Sequence, residues 1–166
     1  MFHSEETVVY GSNGICTVGG ITEQTFCGEK RQYYVLHPVY DKGATIFVPV
    51  DNAELTEKMR RVLTEEEIHT LIAGMSENDD EWIENDGERK RVFQDILDSG
   101  DRRKLMGMIR ILYLHNEQQR KKGKKLHIAD ERSFREAEKI LHEEFAHVLQ
   151  IPTDQVVPYI ASKLKA

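Results

Sequence analysis

The sequence predicts a two-domain α+β protein, with a small β-barrel over residues 1–52 and an all-helical domain over residues 53–166. Two patterns carry the prediction. Through residue 50, short β-branched and aromatic runs alternate with turns containing Gly and Pro, and from Ala53 onward the apolar residues recur at helical spacing. Charge is sorted along the same chain. Residues 1–52 carry −3, 53–87 carry −8, 88–127 carry +7 and 128–166 carry −2, within a net charge of −6.

In the first domain Thr7-Val8-Val9-Tyr10 reads as a strand and Gly11-Ser12-Asn13-Gly14 as the turn that ends it. Ile15-Cys16-Thr17-Val18 is again extended, Gly19-Gly20 allows a bend or bulge, and residues 21–26 form a further strand. A turn around Gly28-Glu29-Lys30 leads into Arg31-Gln32-Tyr33-Tyr34-Val35-Leu36. Residues 38–43 turn once more before Ala44-Thr45-Ile46-Phe47-Val48-Pro49-Val50. Five short strands punctuated in this way suggest a barrel of the SH3 or Tudor kind. In the last of them, alternation puts Ile46, Val48 and Val50 on one face and Thr45, Phe47 and Pro49 on the other. Pro49 has no ladder donor, so the strand lies at an edge or ends there. An edge carrying Phe47 suits docking of a partner's strand, unless Phe47 packs beneath the following helix.

Residues 53–87 are expected to form a connecting helix and an acidic linker. Thr64-Glu65-Glu66-Glu67 has the form of a capping box leading into Ile68, Leu71 and Ile72, and Gly74 closes that helix. The polar, acidic run 76–86 reads as the linker. A helix over 88–98 turns Val92, Phe93, Ile96 and Leu97 inward and ends at Ser99-Gly100. Asp101 then caps a helix with Leu105, Met108, Ile109 and Leu112 on one stripe, which stops at Gly123. Asp130 is expected to cap another, with Phe134, Ala137, Leu141, Phe145 and Val148 along one side. Pro152 ends it, and Pro158 fits only the first turn of a final short helix.

Several chemistries are disfavoured. No run approaches the roughly 18 apolar residues of a membrane span, and the amino terminus lacks the regions of a signal peptide, so the chain is read as cytoplasmic with no membrane partner. Cys16 and Cys27 form no CxxC pair and read as free thiols. His142-Glu143-Glu144-Phe145-Ala146-His147 resembles HExxH but fails on spacing. Its second His falls at i+5, about 140° around the helix from the first. Gly11-Ser12-Asn13-Gly14 is a GxxG placed between strands, hence a hairpin turn. No catalytic residue, metal or cofactor is expected.

The basic block is the strongest functional signal. Between residues 88 and 127 there are 12 Lys+Arg against 5 Asp+Glu, and acids are nearly absent from 102–110 and 118–125. These cations therefore lack the i, i+4 partners of a salt-bridged helix surface. Trp82, the only tryptophan, sits in polar sequence at the amino-terminal edge of the block. An indole beside a cationic surface could stack on a base or wedge between base steps, or it could pack down on the helices.

Three stretches carry a family resemblance: Val8-Val9-Tyr10-Gly11-Ser12-Asn13-Gly14, Tyr33-Tyr34-Val35-Leu36, and Phe47-Val48-Pro49-Val50-Asp51-Asn52-Ala53-Glu54. They resemble the amino-terminal module of the CarD family of bacterial transcription regulators, a module shared with transcription-repair coupling factor. Leu97-Asp98-Ser99-Gly100-Asp101, Asp130-Glu131, Ala137-Glu138-Lys139-Ile140-Leu141 and Glu144-Phe145-Ala146 resemble that family's helical carboxyl domain.

The resemblance implies a Tudor-like domain that binds the RNA polymerase β subunit by sheet-edge pairing. It also implies a helical domain that meets promoter DNA at the upstream edge of the bubble, with a Trp in the minor groove and cations on phosphates. On this reading Gln24, Thr25, Phe26, Thr45, Ile46, Phe47, Val48 and Pro49 face polymerase. Trp82, Arg89, Lys90, Arg91, Arg102, Arg103, Lys104, Lys121, Lys122, Lys124 and Lys125 face DNA. The expected protein is a monomeric, nucleoid-associated regulator of open-complex stability. The rival is a polymerase- or ribosome-associated adaptor without DNA contact, and a hydrolase using His142 and Glu143 is the third class.

Overall fold

β1 (Thr7–Tyr10) buries Val8, Val9 and Tyr10 and pairs with β2 (Ile15–Phe26), where Val8 sits opposite Cys16. The connection is the Gly11–Asn13 3-10 turn, with Gly11 and Gly14 both at positive φ. β2 pairs with β3 (Glu29–Pro38), and β3 with β4 (Ile46–Pro49). Val18, Leu36, Tyr34 and Val48 complete the core of this unit. The computed structural model describes residues 2–75 and 81–164, and the chain divides into two units, Met1–Val62 and Leu63–Ala166.

Three details of the sheet differ from the sequence-based expectation. Gly19-Gly20 does not separate two strands. It shifts the β2–β3 register between Val18 and Ile21 while the ladder continues on both sides, so one 12-residue strand replaces the expected pair. The β2–β3 turn is Cys27-Gly28, both at positive φ as a two-residue hairpin requires, and Glu29 and Lys30 already belong to β3.

The chain is also not helical throughout from Ala53. After a single turn, α1 (Ala53–Thr56), capped by the Asn52 side chain, β5 (Met59–Arg61) pairs with the outer side of β1. The expected boundary at residue 52 thus falls inside the first unit. The strand order β4-β3-β2-β1-β5 makes one antiparallel five-stranded sheet with β4 and β5 at its ends, followed by helices, as the α+β fold class requires.

The second unit follows the predicted stripes closely. Thr64 forms the capping box with Glu67 at the start of α2 (Glu65–Ala73). Residues 76–80, part of the expected linker, lie outside the described residues. Asn85 caps α3 (Asp86–Ser99), two residues earlier than expected, and Gly100 ends it in the left-handed region at φ 65°. Asp101 caps α4 (Arg102–Lys121), and Gly123 follows at φ 70°.

α5 (Ile128–Leu149) begins before Asp130, with His127 at the cap position and no side-chain cap; Asp130 is employed elsewhere. α6 (Val156–Leu164) carries Pro158 in its first turn and returns to α2 through a 2.5 Å hydrogen bond between His69 Nε2 and the Tyr159 hydroxyl. Phe93, Leu97, Leu105, Met108, Leu112, Ala137, Leu141 and Phe145 form the core, joined by Ile68, Ile72 and Val156.

Candidate polymerase and nucleic-acid interfaces

On the outer face of the sheet, Tyr33 lies between two exposed rings. Phe26 meets it edge to face at 5.6 Å and Phe47 at 6.3 Å. Tyr33 is thereby buried, whereas Phe26 and Phe47 remain 54% and 44% exposed. Phe47 therefore does not pack beneath a helix. The alternation read from the sequence holds: Val48 is fully buried, Ile46 and Val50 pack against the core, and Phe47 points outward. Thr25 and Thr45 are exposed, while Gln24 and Pro49 are half-buried. β4 pairs on one side only, so its other side offers backbone donors and acceptors next to this aromatic row.

The cations expected on the helical unit separate into two groups. Lys90, Arg91, Arg103, Lys104, Lys121, Lys122, Lys124 and Lys125 are exposed, and none has an ion-pair partner among the described residues. Arg89 and Arg102 are different, and the expectation that they face DNA is corrected. Arg89 is buried, with Nε and Nη2 each 2.9 Å from a carboxylate oxygen of buried Asp130. It also donates to Asp86 at 2.8 Å and to the Ile83 carbonyl at 2.8 Å. Desolvation opposes its charge, but the bonds to Asp130 and Asp86 outweigh that and hold its pKa above the ordinary value. Arg102 makes a two-bond fork to Glu144 at 2.9 and 2.8 Å, and Glu144 also accepts the Leu63 N–H at 2.9 Å. Both arginines tie helices together and have little charge left to offer phosphate.

These buried charges were legible in principle. Arg89, Phe93 and Leu97 recur at i, i+4 and i+8, so Arg89 falls on the buried stripe of α3. Glu144 likewise falls on the stripe of Leu141 and Phe145, where a carboxylate needs a cation.

Trp82 is half-buried against the helical core. Its indole stacks on the His115 imidazole, with centroids 3.7 Å apart and planes at 4°, and the Arg89 guanidinium lies 4.5 Å from its ring centre. Trp82, His115, Lys125 and His127 line one cleft of ≈ 150 Å³. Trp82 and the lysines after α4 thus border the same space. Nothing in the sequence marked His115.

On α5, His142 and Glu143 are half-buried and His147 is exposed, while Glu144 is committed to Arg102. Burial raises the Glu138 carboxyl above its ordinary value, and it raises Glu143 against the pull of Lys139. A carboxyl with a raised folded-state pKa favours folding in its protonated form. That stability is fully present below the ordinary carboxylate value and is lost as pH rises through the folded pKa. Glu138→Gln is therefore expected to melt higher than the wild type at neutral pH and to match it in acid, below the ordinary value; thermal melts across pH check this.

Residues 2–63 match the CarD-like/TRCF RID domain, and residues 68–161 match the CarD C-terminal domain. No curated protein matches the chain. The two matches abut in the order of the two structural units and between them cover nearly all of both. No helix among the described residues is long and apolar enough to cross a membrane. With a RID-type sheet unit followed by a CarD-type helical unit, the chain belongs to the CarD family of non-enzymatic, transcription-associated proteins that interact with RNA polymerase.

Proposed function

We propose that this protein regulates transcription by docking its sheet on the polymerase β subunit and its helical unit on promoter DNA, which changes the lifetime of the open complex. The DNA half rests on one observation, the exposed cations of α3, of the first turn of α4 and of the 121–125 segment that have no ion-pair partner among the described residues. A salt-bridged helix surface would have neutralised them. They meet phosphates, while Trp82 at the cleft edge reaches the minor groove. The polymerase half rests on the open side of β4 beside Phe26 and Phe47, where an added strand gains backbone hydrogen bonds and the rings supply apolar contact. Differential affinity for the melted promoter is sufficient to shift its lifetime, so no chemical step is required.

The test is duplex binding against salt, together with open-complex lifetime measured with purified polymerase. Each phosphate contact contributes about −0.9 to the slope of log K against log salt. Replacing Arg103 and Lys104 by alanine is expected to make that slope shallower by about 2. Polymerase binding that persists with no salt-dependent DNA association favours the adaptor reading, and an unchanged open-complex lifetime removes the regulatory one.

A further inference from the structure

Among the described residues three rings or guanidinium groups lie close to the ring of Trp82, and they are held very differently. Arg89 is fixed by Asp130, Asp86 and the Ile83 carbonyl, and Phe93, edge-on at 6.3 Å, belongs to the core. His115 on α4 makes the closest and flattest contact, 3.7 Å and 4°. Its polar partner can exchange roles. Gln119, one turn on, brings its Nε2 to 3.1 Å from His115 Nε2 and leaves its own Oε1 buried with no hydrogen-bond partner among the described residues. A neutral imidazole accepts from that amide nitrogen. A protonated imidazole would donate, and half a turn of the amide would bring the idle oxygen round to accept.

We infer that His115 is the positioning residue for Trp82, its stacked imidazole setting the angle at which the indole is held at the cleft shared with Lys125. The consequence for DNA rests on the reading of Trp82 given above. A flat ring stacked on the indole occupies that part of its face and leaves the remainder to meet a base or sugar, so displacing His115 frees the indole to rotate. Charged groups face His115 from each packed element. Arg89 comes from α3 and Glu84 from the segment before it, His127 and Asp130 lie at the start of α5, and Asp86 and Lys125 line the same cleft. Burial foremost holds the imidazole below its ordinary value; Asp130 and Glu84 pull upward, and Arg89 and His127 push downward.

Trp82 is the only indole, so the indole emission reports on this one site, and the His115 variants isolate the imidazole's share of it. In the full-length chain, acidification is expected to quench that emission as the stacked imidazole gains a proton, with a midpoint below the ordinary histidine value of about 6.5. His115→Phe keeps a flat ring and abolishes the titration. His115→Ala abolishes both the titration and the near-ultraviolet circular dichroism of the held indole. At fixed salt, His115→Ala weakens duplex binding about fivefold, as Trp82→Ala does. His115→Phe restores it, and the double alanine variant binds no worse than Trp82→Ala. An indole spectrum and titration unchanged in His115→Ala would overturn the positioning role. If the spectroscopic changes appear but Trp82→Ala binds DNA like the wild type, His115 positions Trp82 and the DNA role of the indole is what fails.

Discussion

Replacing Glu144 by alanine is expected to cost the helical unit about 3–5 kcal/mol, the scale for breaking a buried ion pair from one side. Glu144 is 1% exposed and accepts from Arg102 twice and from the Leu63 backbone once. The substitution strips a guanidinium of both carboxylate bonds and leaves a backbone N–H without its acceptor. Against a total stability of about 5–15 kcal/mol, that is a large fraction of what holds the unit folded. Glu144→Gln keeps an acceptor for Leu63 and should lose less. Replacing Arg102 and Glu144 together by methionine should recover most of the loss, because apolar side chains of similar volume replace a buried ion pair at little cost. Denaturant unfolding of the three variants decides. A loss under about 1 kcal/mol for Glu144→Ala would mean that the pair behaves as a solvated surface contact.

The second large effect is expected at Arg89, and it is sharpest beside a neighbour two residues away. Arg89→Ala should destabilise by a similar amount, about 3–5 kcal/mol, because Asp130 is left charged and buried. It also removes the guanidinium beside Trp82, so the indole emission should shift in the folded fraction. Arg91→Ala, on the exposed side of the same helix, should change stability by no more than about 0.5 kcal/mol while weakening DNA association. Unfolding curves and salt-dependent binding of the two variants would show opposite patterns. Equal and small stability effects would place Arg89 among the phosphate contacts after all.

Sequence periodicity captured what is local. The α4 stripe of Leu105, Met108 and Leu112, the Thr64 capping box and the left-handed Gly100 each depend on residues within one or two turns, and each appears as read. What escaped depends on partners far along the chain. β5 is three residues long, and only the vacant edge of β1, some fifty residues earlier, makes it a strand. Arg89 and Arg91 are indistinguishable as members of a basic run. They part company because α5 delivers Asp130 to one and nothing to the other. Trp82 stood out by composition, yet its partner His115 lies 33 residues on and carries no motif of its own. Alternation put Phe47 on the face opposite Val48 but left open whether a helix covers it, and the aromatic row it shares with Phe26 needed the register of three strands.

The pairing of β5 with β1 also bears on how the chain comes to be folded. Within this sheet β1 precedes the other strands, and its partner on one side, β2, follows at once; on the other side Val8 must wait for Arg61. Closing so long a loop carries a larger entropic cost than the earlier hairpins, so this ladder is expected to form last in the sheet unit. Until Met59–Arg61 emerges from the ribosome, the nascent sheet carries an unfinished edge, and its folding is committed only once the chain has reached the threshold of the helical unit.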